Sequence, residues 1–352
     1  MFVAWRDLRF AKGRFALMGT VIVLITLLVG LLSGLTAGLG RQNTSAITGL
    51  PADRIAFGSP QPSYADSTVT QRQWQRWAGT PGVTAAEPLG IGTTRVTAGA
   101  RSAAVSVFGV RPGSRLAPGD LDDDTAVLST TAATDLGLRA GDRLAVAGRE
   151  LTVAAVRGDA SYSHTPVVWT GLDTWRRTGD AGADTATVIA LRTRAGVDVA
   201  AADRAAGTRT VRTGDSLAGI GSYRSENGSL QLMRGFLFAI SALVIGAFFT
   251  VWTIQRSGDV AVLKALGAST AALLADALGQ AGVLLVGGTA LGTGLAAGLG
   301  ALVAGSDVPF VLTPATVAVP AAVTILLGML GAALSVRRIT AVDPLTALGS
   351  AR

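Results

Sequence analysis

Cysteine is absent from this chain of 352 residues, histidine occurs once, as His164, and lysine twice, as Lys12 and Lys264. Without cysteine there is no disulfide, no thiolate metal site and no cysteine nucleophile. With one histidine, a multi-histidine metal centre within one chain is excluded, and no metal-ligating set is assigned. Charge is scarce too, at 15% of residues, where a soluble chain carries about 25%. The formal net charge is +7, yet no basic patch reads as a nucleic-acid surface, and a membrane surface accounts for it more economically. No G-x-x-x-x-G-K-[ST] occurs, so the chain has no phosphate-cradling loop of its own. No Ser/His/Asp order with a nucleophile elbow is found either. No catalytic residue is assigned, and any energy supply comes from another polypeptide.

Present instead are long apolar runs, in a chain that is 49% hydrophobic. Residues 1–14, MFVAWRDLRFAKGR, interleave Arg6, Arg9, Lys12 and Arg14 with Phe2, Trp5 and Phe10. That is an amphipathic helix at a membrane interface. Residues 15–40 form the first uncharged run, too long for the 7–15-residue core of a secretory signal and long enough to span about 30 Å of hydrocarbon. Gly30, Gly34 and Gly38 mark one smooth stripe on it, which either admits a close neighbour or is ordinary glycine tolerance in a membrane helix. Three further runs, 232–254, 271–304 and 315–336, complete four expected spans, with a short outer loop at 305–314 and a tail at 337–352. Basic residues gather in the N-terminus, the 255–270 loop and the tail, as Arg256, Lys264, Arg337, Arg338 and Arg352, while the short loop carries Asp307. The positive-inside rule therefore places both termini and the 255–270 loop in the cytoplasm, and residues 41–231 outside.

Residues 41–231 hold most of the polar and proline content and read as a mixed α/β domain. A helix is expected from Thr70, ended near Gly79 and Pro81, followed by several short strands between Val83 and Val110 with glycine punctuation. A strand and helix follow over 126–138, then a hairpin about Gly141–Asp142, a strand at PVVWTGL, a helix over 198–208 and the strand TRTVRT. The fold class is thus an α-helical membrane protein of four spans with a large extracytoplasmic α/β domain between the first and second.

Between the second and third spans lies QRSGDVAVLKALGAS. Val260, Leu263 and Leu266 recur on one helical face, Arg256, Asp259 and Lys264 stay polar, and Gly267 closes the turn. The segment suits a passive connector or a foot that docks into a partner.

This segment, the N-terminal WRDLRFAKGRFAL, the VSVFGV and LGLRAGDRL stretches of the outer domain and the C-terminal RRITAVDPLTAL together resemble the FtsX-like or MacB-like permeases of ABC transporters over nearly the whole chain. Asp259 stands where that family often has Glu. The resemblance implies that Arg256, Asp259, Val260, Leu263, Lys264, Leu266 and Gly267 form a coupling helix seated in an ATPase subunit. It further implies a homodimer bound to two ATPase copies, with ATP and Mg on the partner and no intrinsic cofactor. SYSHTPVVWTGLDTW and SYRSENGSLQLM are similar to the haem-exporting permeases and the related DevC-like exporters. Ser222 replaces the Gly of their Gly-Tyr-x-x-Glu-like stretch. Haem is then the implied cargo, with Tyr223, Glu226, Met233 and His164 as candidate contacts to iron, Arg224 to a propionate and Tyr162, beside His164, as a further haem-binding residue. For Glu226 a helix cap or a pair with Arg224 fits as well. Signalling through the outer domain, as in FtsX-type proteins, and export of a lipid, peptide or lipoprotein are the alternatives.

Overall fold

The structure, a computed structural model, describes residues 12–179, 181–255, 258, 262, 264, 266–303 and 308–340, side chains at 12, 14–15 and 336–340 excepted. The chain divides into two compact units, Leu39–Gly228 and the remainder, Met1–Gly38 with Ser229–Arg352. Among the described residues, four helices are long and apolar enough to cross a membrane: α1 (Lys12–Thr48) and, after the α/β unit, α6 (Gly221–Gln255), α7 (Thr270–Val303) and α8 (Pro314–Thr340). Helix α1 runs past residue 40 without a break to Thr48, and α6 begins at Gly221, so each contributes one end to the α/β unit.

In that unit, β1 (Arg54–Phe57), β2 (Val69–Thr70), α2 (Gln71–Ala78), β3 (Val83–Ala98) and β4 (Arg101–Val110) come first. Then follow β5 (Thr125–Leu128), α3 (Thr130–Leu136), β6 (Arg143–Val146), β7 (Arg149–Val156), β8 (Ser161–Tyr162) and β9 (Thr165–Gly171). The unit ends with α4 (Leu172–Thr178), β10 (Thr185–Ala186), β11 (Val188–Thr193), α5 (Val199–Ala206) and β12 (Arg209–Arg212). The large sheet runs β12-β1-β11-β3-β4-β9-β5-β7-β6, and pairing of β3 with β6 closes its second half into a barrel. Closure removes two of the edges that an open sheet would expose.

Period-2 alternation sorts the central strands between two cores. On β4, Val105 and Val107 face one and Phe108 and Val110 the other; on β11, Ile189 and Leu191 part from Val188 and Ala190 in the same way. The first core lies under α2, whose capping box at Thr70 and Gln73 starts the helix and whose Trp74 and Trp77 are buried. The second contains Phe57, Tyr64, Tyr162, Phe108 and Trp169, joined edge to face with centroids 4.9–5.9 Å apart, and takes in Ala46, Ile47 and Leu50 from the end of α1.

Where several short strands are expected between Val83 and Val110, two long ones stand, and β3 passes straight through Gly90 and Gly92. These glycines are a ledge, not punctuation. A Cβ on Gly90 or Gly109 would lie 2.2 or 2.4 Å from Trp175, whose indole rests there.

In the helical unit, Met18, Ile22, Ile245, Phe249, Trp252, Ala281, Leu285 and Ala332 form the core. Glycine makes the seam between α1 and α7. A Cβ on Gly288 would meet Ile22 at 2.7 Å, one on Gly292 the Val23 carbonyl at 2.6 Å, and one on Gly30 the Ala296 methyl at 2.8 Å. Further along the stripe the neighbour is no helix. Phe310 fills the notch between Gly34 and Gly300, Pro309 lies on Gly38, and Val311 N–H donates to the Gly34 carbonyl at 3.1 Å. Backbone approach of this kind leaves no room for a side chain. Gly292→Leu is therefore expected to cost about 1–3 kcal/mol through overpacking, read as a lower unfolding temperature of the purified chain. Gly294→Leu, where open space surrounds the backbone, serves as the unaffected control.

Candidate functional site

The polar node of the α/β unit lies where α1 ends and α6 begins. Strands β8 and β9 are joined by a two-residue turn, Ser163–His164, with Tyr162 opposite Thr165. Both turn residues are left-handed, with φ of 50° and 65°. A type I′ hairpin turn demands this, and Asn-Gly is its usual sequence. Ser and His each hold that conformation at a cost on the order of 1 kcal/mol. The turn is held from below by Tyr162 in the aromatic core, and from the side by α1. Ser163 N–H donates to the Asn43 carbonyl at 3.1 Å and His164 N–H to the Gln42 carbonyl at 3.3 Å. Ser161 N–H donates to Ser45 Oγ at 2.8 Å.

So positioned, His164 Nε2 lies 2.8 and 2.9 Å from the two oxygens of Glu226, 62 residues further on. Asn43, which is 1% exposed, donates from Nδ2 to Glu226 Oε2 at 3.1 Å. Its Oδ1 accepts from Ser222 Oγ at 2.6 Å, and Ser222 Oγ in turn lies 2.8 Å from Ser163 Oγ. Ser222 thus ties α6 to α1. Ser222 fixes the amide orientation, which puts Asn43 Nδ2 3.0 Å from His164 Nε2. Because Nε2 faces both carboxylate oxygens, the imidazole hydrogen is assigned to Nε2, from which it donates to Glu226. The node remains partly open to solvent, the His164 and Glu226 side chains being 31% and 40% exposed.

The other sequence-read candidates lie elsewhere. Tyr162 is a core residue whose ring packs against Tyr64 and Phe108. Burial pushes its phenol well above the ordinary value, so it stays neutral, and a neutral phenol is a poor ligand for iron. Tyr223 packs half-buried on the second core. Arg224 sits about 200° around the helix from Glu226 and lines a separate cleft of about 600 Å³ with Pro60, Pro62 and Asp66. Met233 is 52% exposed and belongs to the helical unit. The structure brings His164 and Glu226 together, and adds Asn43, Ser163 and Ser222.

Of the segment read as a docking foot, Arg256, Asp259, Val260 and Leu263 lie outside the described residues. Leu266 N–H donates to the Val262 carbonyl and Gly267 N–H to that of Lys264, both at 3.0 Å. Gly267 closes this turn at φ 94°, a conformation suited to glycine. Leu266 stands 79% exposed and Val262 57%.

Residues 15–209 match the MacB-like periplasmic core domain, and residues 232–344 the FtsX-like permease C-terminal family. Over 99% of each chain, the sequence is 24% identical to "Putative hemin transport system permease protein HrtB" of Staphylococcus epidermidis. With the same coverage it is 26% identical to an uncharacterized ABC transporter permease of Mycobacterium tuberculosis. Among solved structures, the periplasmic region of MacB from Actinobacillus actinomycetemcomitans aligns at 11% identity with a TM-score of 0.39, covering 48% of this chain and 92% of that one.

Proposed function

This chain belongs to the FtsX-like and MacB-like permeases of ABC transporters, and on that premise we propose that it exports haem from the membrane, powered by ATP hydrolysed on a separate subunit. The observation that carries the reading is the end-to-end similarity to a chain named for hemin transport. The node adds suitable chemistry. Glu226 supplies a hard oxygen donor for ferric iron, close to where α6 leaves the α/β unit, and Tyr223 lies one turn before it. Arg224, on the other face, is free to meet a propionate from a different direction. Met233, further along α6, offers a softer contact within the helical unit.

Two copies of the chain pair with two ATPase subunits, which carry the ATP and Mg. The termini and the 255–270 loop face the cytoplasm, and the α/β unit faces out. The loop seats in the ATPase, and closure of the nucleotide sites draws the cytoplasmic feet together.

Deletion of the gene is expected to sensitise cells to haemin, with growth restored by the wild-type gene on a plasmid. Cellular haem measured after a haemin pulse should rise in the deletion strain. Unchanged haemin tolerance and unchanged cellular haem would count against haem as cargo and favour a signalling role for the outer domain.

A further inference from the structure

A chain of side-chain hydrogen bonds in the node runs toward one acceptor. Ser163 O–H points to Ser222 Oγ, Ser222 O–H to Asn43 Oδ1, and Asn43 N–H to Glu226 Oε2, with His164 Nε2–H shared between the two Glu226 oxygens. Such a chain is cooperative, and it is anchored by the negative charge at its end. It also crosses three elements: the β8–β9 turn, the end of α1 and the start of α6.

His164 Nε2 stands 2.8 and 2.9 Å from the two Glu226 oxygens, on the side from which a metal-centred ligand would take both, so His164 and that ligand compete for the carboxylate. The cation would face the Nε2–H of His164 and the Nδ2–H of Asn43, both positive-ended and both about 3 Å from the carboxylate. Bound cations reverse the local electrostatics that held these donors. Buried Asn43 then loses an acceptor, which is costly for an amide at 1% exposure.

We propose that His164, Asn43 and Ser222 form a displaceable latch on Glu226, so that the carboxylate which receives iron is occupied from within until cargo exchanges for His164. Asn43 and Ser222 are positioning residues, and His164 is the internal competitor. Opening the latch separates α6 from α1 and from the β8–β9 turn, which links occupancy to the two helices that continue into the helical unit. The identity of the metal-centred ligand rests on the haem reading; the latch itself rests on the geometry.

The absence of native cysteine makes a direct test available. Ser163 Oγ and Ser222 Oγ are 2.8 Å apart, so a Ser163→Cys/Ser222→Cys pair is placed to form a disulfide that holds the latch shut. In the permease–ATPase complex in nanodiscs, oxidation is expected to lower ATP turnover at least fivefold, with reductant restoring it and each single-cysteine variant insensitive to oxidant. Full turnover by the oxidised pair, or failure of the pair to oxidise, would overturn the latch. Haemin titration followed at the Soret band supplies the second arm. His164→Ala should bind haemin several-fold tighter than wild type, and His164→Gln, which keeps an N–H donor, should bind much as wild type does. Weaker binding by His164→Ala would make His164 a ligand and overturn its role as competitor. No Soret change in wild type would remove the haem reading while leaving the disulfide result to decide the latch.

Discussion

Glu226→Ala is expected to abolish haemin tolerance in complemented cells and to lower the haemin affinity of the purified permease by about 10–100-fold. That range corresponds to one lost charge-assisted contact of about 1.5–3 kcal/mol. Three features make the effect large. The carboxylate is the sole anion of the node, it is reachable from solvent at 40% exposure, and it has two oxygens to offer once His164 withdraws. Unlike iron binding, a cap or an ion pair would leave a specific trace. If Glu226 only holds the node together, Glu226→Ala lowers the unfolding temperature and leaves the Soret titration unchanged. Arg224→Ala calibrates the experiment: Arg224 lines another cleft and would meet a propionate, so its loss should weaken haemin and iron-free protoporphyrin alike, whereas loss of Glu226 weakens haemin alone.

An equally large effect is expected at the other end of the energy path. Leu266→Asp should yield a folded permease that no longer couples to its ATPase. Leu266 projects 79% exposed from a turn closed by Gly267, which leaves its apolar side chain available to a partner. Loss of one central anchor costs about 2 kcal/mol or more, a roughly 30-fold weaker association. The measurement is co-purification of the ATPase with the permease, together with ATP turnover of the mixture. Retained co-purification and wild-type turnover would make the segment a connector. Because Leu266 is exposed, unfolding is not expected to contribute, and an unchanged unfolding temperature checks this.

What could be read in advance followed the physics of each element. The four long helices were legible because nothing but an apolar run of that length crosses hydrocarbon. Helix α2 was legible from its Thr70 start and its Gly79 stop. The long strand β3 was not, because Gly90 and Gly92 have the same letters whether they break a strand or make room for Trp175. Strands β1 and β11 are short and buried on both faces, so they lack the alternation that marks a half-buried strand. At the site, the resemblance of their two stretches to the haem-exporting permeases, together with residue type, drew attention to His164 and Glu226, while their pairing across 62 residues depends on the sheet. Asn43 gave no signal, since it lies in a helix whose continuation past residue 40 carries no compositional mark. Tyr162 shows the opposite case: a residue type suited to iron that the alternation of a two-residue strand turns into the core.

The most direct test of haem as cargo is ATP hydrolysis by the reconstituted permease–ATPase complex, measured with haemin and with iron-free protoporphyrin IX. If Glu226 meets iron, haemin raises the rate in wild type, protoporphyrin does not, and Glu226→Ala responds to neither. A wild-type rate that haemin leaves unchanged, or that both porphyrins raise equally, would contradict the account.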